Sequence, residues 1–304
     1  MFAAPPDLPT EVFTRLPDRF RIEGRHSTWT RARGGAPLHS FLEGPSFDRD
    51  GNLYCVDLAH GRIFRISPQR EWEVFAQYEG RPNGLKIARD GRIFVADGQH
   101  GILSFDPATR KMTTVAGSYE GKPLAGPNDL TFSDAGDLYF TDPGRSHLGN
   151  PTGRVFRVRN GETELLMQNL PFPNGLVLSP DEKELYVALT HSLQVVRLEL
   201  HAEKPGERRW RAFLQLSGGL AGPDGMAIDE QGGLSVVHAG FGTVWHFSRL
   251  GEPLARIRSC AGVRTTNVAY GGDDRRTLFI TEAEHGVILT ARLETPGRRM
   301  HSHQ

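Results

Sequence analysis

Apolar residues fall along this chain in short runs, each closed by a turn signal, and the order of runs and turns repeats six times. Every unit opens on a short phrase: Glu43-Gly44-Pro45-Ser46-Phe47, Asn83-Gly84-Leu85-Lys86-Ile87, Asn128-Asp129-Leu130-Thr131-Phe132, Asn174-Gly175-Leu176-Val177-Leu178, Asp224-Gly225-Met226-Ala227-Ile228 and Thr266-Asn267-Val268-Ala269-Tyr270. A hairpin signal follows, such as Arg89-Asp90-Gly91 or Asp134-Ala135-Gly136-Asp137. Then comes a more apolar strand: Leu53 to Val56, Ile93 to Ala96, Leu138 to Thr141, Leu185 to Ala188, Leu234 to Val237 and Leu278 to Thr281. A third strand, for example Gly61 to Ile66, and in most units a fourth, for example Trp72 to Ala76, complete the unit.

The lead residues Glu43, Asn83, Asn128, Asn174, Asp224 and Thr266 stand 40, 45, 46, 50 and 42 positions apart. Such periods are typical of propeller blades. Six units of four antiparallel strands predict an all-β, six-bladed β-propeller. The sixth unit stops after its third strand, near Leu293, and the strand-like segment Ser27 to Ala32 is expected to supply the missing outer strand and close the ring. A two-sheet sandwich leaves the six-fold period unexplained. The reading divides the chain into an N-terminal extension (1–19), one propeller domain (20–295) and a disordered polar tail (296–304).

Composition adds exclusions. The 36 basic and 36 acidic residues balance, which gives no reason to expect nucleic acid or an anionic membrane as partner. The chain opens without a basic segment followed by a long apolar run, and no stretch is long enough to span a bilayer, so a cytoplasmic location is expected. The two cysteines, Cys55 and Cys260, lie in different repeats without metal-ligand spacing. Oligomeric state is left open.

In a propeller the first strand of each blade lines the central channel, so the lead residues form a ring at one mouth. The second strand returns to that mouth and ends on Asp57, Asp97, Asp142, Leu189, His238 and Glu282. Asp and Asn beside Gly or Pro are ordinary turn residues, and Asn83, Thr266 and Asp97 read as structural. Glu43, Asn128, Asn174 and Asp224 together are different: two carboxylates and two amides around one axis call for a cation or ordered water. Glu43, Asn174 and Asp224 offer oxygen ligands and no sulfur, which suits one hard divalent cation. Calcium is expected, with magnesium, manganese, zinc or iron as alternatives. His238 is a substrate contact, a ligand or a strand-end histidine. The longer loop Pro143 to Gly153 lies over the same mouth, either as a lid that brings Arg145 or His147 to an anionic or carbonyl group or as a surface insertion. The charged insertion His201 to Arg209 reads as solvated surface.

The residues also carry a resemblance. Glu43-Gly44-Pro45 with Gly51-Asn52-Leu53-Tyr54, Gly126-Pro127-Asn128-Asp129, Phe140-Thr141-Asp142-Pro143, Pro173-Asn174-Gly175-Leu176 and Pro223-Asp224-Gly225 together resemble the senescence-marker-protein/gluconolactonase family, which includes regucalcin and bacterial gluconolactonases. The resemblance implies a six-bladed propeller with one divalent metal on Glu43, Asn174 and Asp224, a substrate-side Asn128, Asp224 as acid/base and a small lactone or ester substrate. One position departs from the regucalcin-like pattern: Gly126 stands where an arginine is found, which turns the comparison toward the bacterial gluconolactonase branch. Two further readings stay open: another hydrolysis, hydration or isomerisation on the same metal propeller, and a non-catalytic propeller that binds a ligand or protein.

Overall fold

Each apolar second strand is buried almost end to end and pairs on both sides, which places it in the middle of a sheet rather than at an edge. In the computed structural model, which describes residues 4–201 and 208–304, these sheets are the blades of a six-bladed β-propeller. Blade 1 comprises Leu42–Phe47, Leu53–Asp57, Arg62–Ile66 and Trp72–Gln77. Blades 2, 3, 4 and 5 repeat the same four-stranded meander, starting at Pro82–Ile87, Leu130–Phe132, Pro173–Leu178 and Pro223–Ile228. Blade 6 supplies three strands of its own: Thr265–Gly271, Thr277–Glu282 and Val287–Arg292.

A strand from the N-terminus closes the ring, as the open edge of blade 6 requires, but a different segment provides it. Glu11–Arg15 pairs antiparallel with Val287–Arg292, and Asp7–Pro9 just before it adds a parallel fifth strand to blade 5. The expected closing segment, Ser27 to Ala32, is instead a short helix, Thr28–Arg33. Its β-prone threonines and tryptophan are overridden by caps. The Ser27 hydroxyl accepts from Thr30 N at 3.1 Å, and Gly34 ends the helix in the left-handed conformation. The propeller therefore reaches into the stretch assigned to an N-terminal extension. Residues 202–207, the middle of the charged insertion, lie outside the described residues.

Six apolar clusters hold the ring, each filling the seam between two neighbouring blades. The seam of blades 1 and 2 contains Val56, Ile63 and Phe75 against Leu85, Val95 and Phe105, and the seam of blades 6 and 1 contains Phe279 and Ile288 against Phe47 and Phe64. The stretch expected as a disordered tail is ordered. It crosses the end of the channel opposite the lead residues and touches every blade. Gly297 N donates to Arg275 O at 2.7 Å and Arg298 N to Ile228 O at 3.0 Å. The Arg298 side chain pairs with Asp134 and Glu182. His301 stacks on Phe132 at 4.8 Å and accepts from Arg89 N, and Ser302 Oγ donates to Phe47 O at 2.8 Å. Among the described residues no helix is long and apolar enough to cross a membrane.

Removal of 298–304 is expected to lower the urea midpoint of unfolding. The hydrogen bonds lost, at about 0.5–1.5 kcal/mol each, add up to a few kcal/mol. An unchanged midpoint would show that the segment merely rests on the ring.

Candidate functional site

The lead residues do not sit in regular strands. In four blades the lead residue and its successor together face one residue of the second strand: Asn83 and Gly84 face Ala96, Asn174 and Gly175 face Ala188, Asp224 and Gly225 face Val237, and Thr266 and Asn267 face Thr281. Asn128 and Asp129 likewise share Thr141, whose C=O accepts from Asn128 N and whose N–H donates to Asp129 O, both at 3.0 Å. Such bulges re-aim side chains. Here each presents two consecutive residues to the channel where a regular pleat presents one. Glycine is required at most of the second positions because the next blade arrives there. A Cβ on Gly44 would lie 2.5 Å from Asn83 O, and one on Gly175 2.3 Å from Asp224 O.

Only Asp129 and Asn267 carry a full side chain at that second position. They belong to blades 3 and 6, opposite each other in the ring, and they meet: Asn267 Nδ2 donates to Asp129 Oδ2 at 3.2 Å. The bond spans the channel. Past it lies a cavity of about 90 Å³, bordered by Ser46, Lys86, Thr131 and Tyr270 and closed by Met300 and His301 of the C-terminal segment.

Three carboxylates converge at this level. Glu43 is buried and accepts from Gly44 N at 2.8 Å. Burial, and then the charge of Asp129, push its pKa up to about 8. Asp224 is raised well above the ordinary carboxylate range by burial and by Glu43 and Asp129, with the Asn174 amide opposing the shift. Asp129 is also raised by burial, and the Lys86 ammonium opposes that shift. Ionised together, the three acids and Lys86 leave two negative charges in a water-poor channel, the charge that one divalent cation neutralises.

The amides fit that purpose. Asn174 Nδ2 is held by Thr190 Oγ1 at 3.1 Å, and its Oδ1 has no donor among the described residues. Thr190 in turn donates to Pro223 O at 2.8 Å, so one hydroxyl fixes Asn174 against the strand of Asp224. Thr141 repeats the device one blade earlier, donating to Asn174 O at 2.8 Å. The main chain of Asn128 is committed to Thr141 O and Gly84 N, while its side-chain amide binds nothing among the described residues. Carboxylate and amide oxygens without sulfur or imidazole suit a hard cation.

The chain matches the family model described as SMP-30/Gluconolactonase/LRE-like region over residues 41–284. It belongs to this family. It is 34% identical to a gluconolactonase of Zymomonas mobilis over 278 residues, 81% of this chain and 77% of the relative. It is 32% identical to the lactonase drp35 of Staphylococcus aureus over 228 residues, 71% and 69% of the two chains. A calcium-binding regucalcin from Agrobacterium tumefaciens superposes with a TM-score of 0.79 at 21% identity, covering 99% of this chain and 100% of the other, and shares the fold.

Within this gluconolactonase-family site, the other sequence-derived candidates take different places. His238 is fully buried. Its Nε2 lies 3.1 Å from Gly218 O, its Nδ1 accepts from Trp245 Nε1 at 3.4 Å, and its ring stacks on Phe241. Both ring nitrogens are thus engaged, Nε2 with the 217–222 approach to blade 5 and Nδ1 with Trp245 of its third strand. Arg145 and His147 stand exposed on the 143–153 loop. That loop is pinned to blade 4, because Ser146 Oγ accepts from Phe172 N at 3.0 Å. The second polar ring is a set of braces. Asp57 accepts from Phe41 N and pairs with Arg62, Asp97 accepts from Arg81, Gln99 and His100 N, and Asp142 accepts from Ala125 and Gly126 N and pairs with Arg154. Glu282, grouped with Glu284 and His285, is likewise occupied by their backbone N–H groups. A buried Ser235–His246–Asp229 set has the residue types of a hydrolytic triad, but all three side chains are enclosed in the ring and Asp229 is taken up by the N–H groups of Gln231 and Gly233.

Sequence reading missed Asp129, Asn267 and Lys86. The signal was present: at the position after each lead residue, four units have glycine and two do not.

Thr190→Val frees Asn174 to rotate and is expected to weaken any divalent-cation binding at this site roughly 10-fold, the low end of losses when a ligand's support is removed, as read by isothermal titration with calcium, magnesium and manganese. A second expectation concerns pH. The folded pKa of Glu43 is raised, so without cation the folded state binds more protons than the unfolded chain between about pH 4.5 and 8. Stability in EDTA should therefore fall as pH rises through that window, and Glu43→Gln should flatten the fall. Urea midpoints at pH 5 and pH 8 for both proteins check this; identical slopes would contradict it.

Proposed function

We propose that this chain is a metal-dependent lactonase, a carboxylic ester hydrolase that opens a small lactone ring. The observation that carries the reading is the convergence of Glu43, Asp224 and the donor-free oxygen of Asn174 beside the unengaged Asn128 amide. The names of the family relatives, gluconolactonase and lactonase, support it. Glu43, Asn174 and Asp224 would hold the divalent cation, foremost calcium, whose charge would polarise the ester carbonyl and stabilise the oxyanion that develops on it.

The chain's own groups do the rest. Asn128 has both an amide N–H and a carbonyl free to orient the ring ester. Asp224, one of the converging carboxylates, accepts the proton of the attacking water. It then returns a proton to the leaving alkoxide, so the cycle ends with the carboxylate restored and a hydroxy acid formed. Arg145 and His147 face solvent over the mouth, where they meet arriving substrate. His238 has no role at the reacting atoms in this reading.

Asp224→Ala is expected to lower kcat on a panel of aldonolactones and other small lactones by at least 100- to 10 000-fold, the usual scale for a positioned acid/base, without change in the circular dichroism spectrum. EDTA should abolish turnover and calcium restore it. Full activity in Asp224→Ala, or turnover indifferent to EDTA, would sink the proposal.

A further inference from the structure

Three arginines have a buried Nε with no acceptor among the described residues: Arg81, Arg157 and Arg208. Arg157 and Arg208 still have a counter-charge, since both reach Glu164 through Nη2. Among the described residues, the guanidinium of Arg81 meets neither a carboxylate nor a carbonyl. Its neighbour Asp97 is spent on main-chain N–H groups and Tyr78 Oη, and it takes the Arg81 backbone N–H at 2.7 Å rather than the side chain. A permanently charged, partly buried guanidinium whose Nε has no acceptor among the described residues is suited to receive an anion.

Its position is what makes this consequential. Arg81 stands two residues before the lead residue Asn83, and its backbone is fixed at both ends, by Asp97 on N–H and by Gly98 N on C=O at 2.9 Å. A Cβ on Gly98 would touch Arg81 Cβ at 3.5 Å and Pro127 O at 3.8 Å, so the root of Arg81 and the residue preceding Asn128 flank the same glycine. Gly126 beside them has no side chain, and a Cβ there would come no closer than 3.4 Å to any neighbour, Gly98 O. The root of Arg81 is therefore anchored beside the residue that precedes the substrate-side Asn128, and Gly126 next to them puts no side chain in between.

We infer that Arg81 is a specificity-determining residue that pairs with an anionic oxygen group on the substrate, a carboxylate or phosphate remote from the ring ester. The planar fork matches either group through two parallel hydrogen bonds. This rests on the reading of the mouth as a lactone site, and it names the class of lactone: one with a second, anionic arm.

Calorimetric titration of the calcium-loaded protein with gluconate, glucarate and 6-phosphogluconate tests it. Glucarate or 6-phosphogluconate should bind at least ten-fold more tightly than gluconate, and whichever does so identifies the arm as carboxylate or phosphate. Arg81→Met should erase that preference and leave gluconate affinity unchanged, and Arg81→Lys should keep part of it. Equal affinity for all three compounds, a preference that survives in Arg81→Met, or no binding of any of them would overturn the inference. If Arg81→Met melts early, the comparison of Arg81→Lys with wild type decides. Because the readout is binding, an absence of lactone turnover would defeat the proposed activity without touching this result.

Discussion

Three acids crowded at the centre of a closed ring set the terms for everything else in this molecule. Glu43, Asp129 and Asp224 come from blades 1, 3 and 5, and among the described residues Lys86 is the cation that faces Glu43 and Asp129. Burial first, and then their nearness to one another, favours the protonated form, so without a cation they keep protons that the unfolded chain releases. The seams between blades, the N-terminal strand on blade 6 and the segment across the far end keep the ring closed around them. Burial makes their ionisation costly, and the same burial makes a bound cation valuable. A ring with a looser axis would admit water to these acids and let them ionise as they do in the unfolded chain.

Geometry near the axis is transmitted from blade to blade by threonine hydroxyls. Thr141, Thr190 and Thr266 each donate to a carbonyl on the following blade's first strand, those of Asn174, Pro223 and Leu42. Each carbonyl belongs to a lead residue or to the residue just before one. The side chains that face the channel are thus fixed by backbone positions their neighbours control, and a local change at one blade is felt at the next. Farther out, buried acids at the ends of the second strands tie the rim loops to their own blades.

Much of this was legible in the chain. The six-fold period alone gave the blade count, and the lead residues marked the mouth. The choice of closing strand failed because Ser27-Thr28-Trp29-Thr30 looks β-prone while the caps at Ser27 and Gly34 decide for a helix. The supposed tail was misjudged because its polar and basic residues find their partners on five different turns of the ring and on Phe132, none of which is near in sequence. Asp129 and Asn267 were overlooked because one channel-facing residue per repeat was assumed. A bulge doubles that number, and no propensity of Asn or Asp reveals it. His238 looked available because strand ends at a mouth usually are. Its burial comes from the 217–222 loop, which folds back over it.

The segment that crosses the far end, together with the Asp129–Asn267 bond, makes the channel a cul-de-sac. Whatever enters must leave by the same door. Product departing and substrate arriving therefore compete for one passage, and an accumulating product obstructs its own replacement. In such a vessel the rim residues govern traffic as well as recognition, because the groups that attract an incoming molecule are also the last to release the outgoing one.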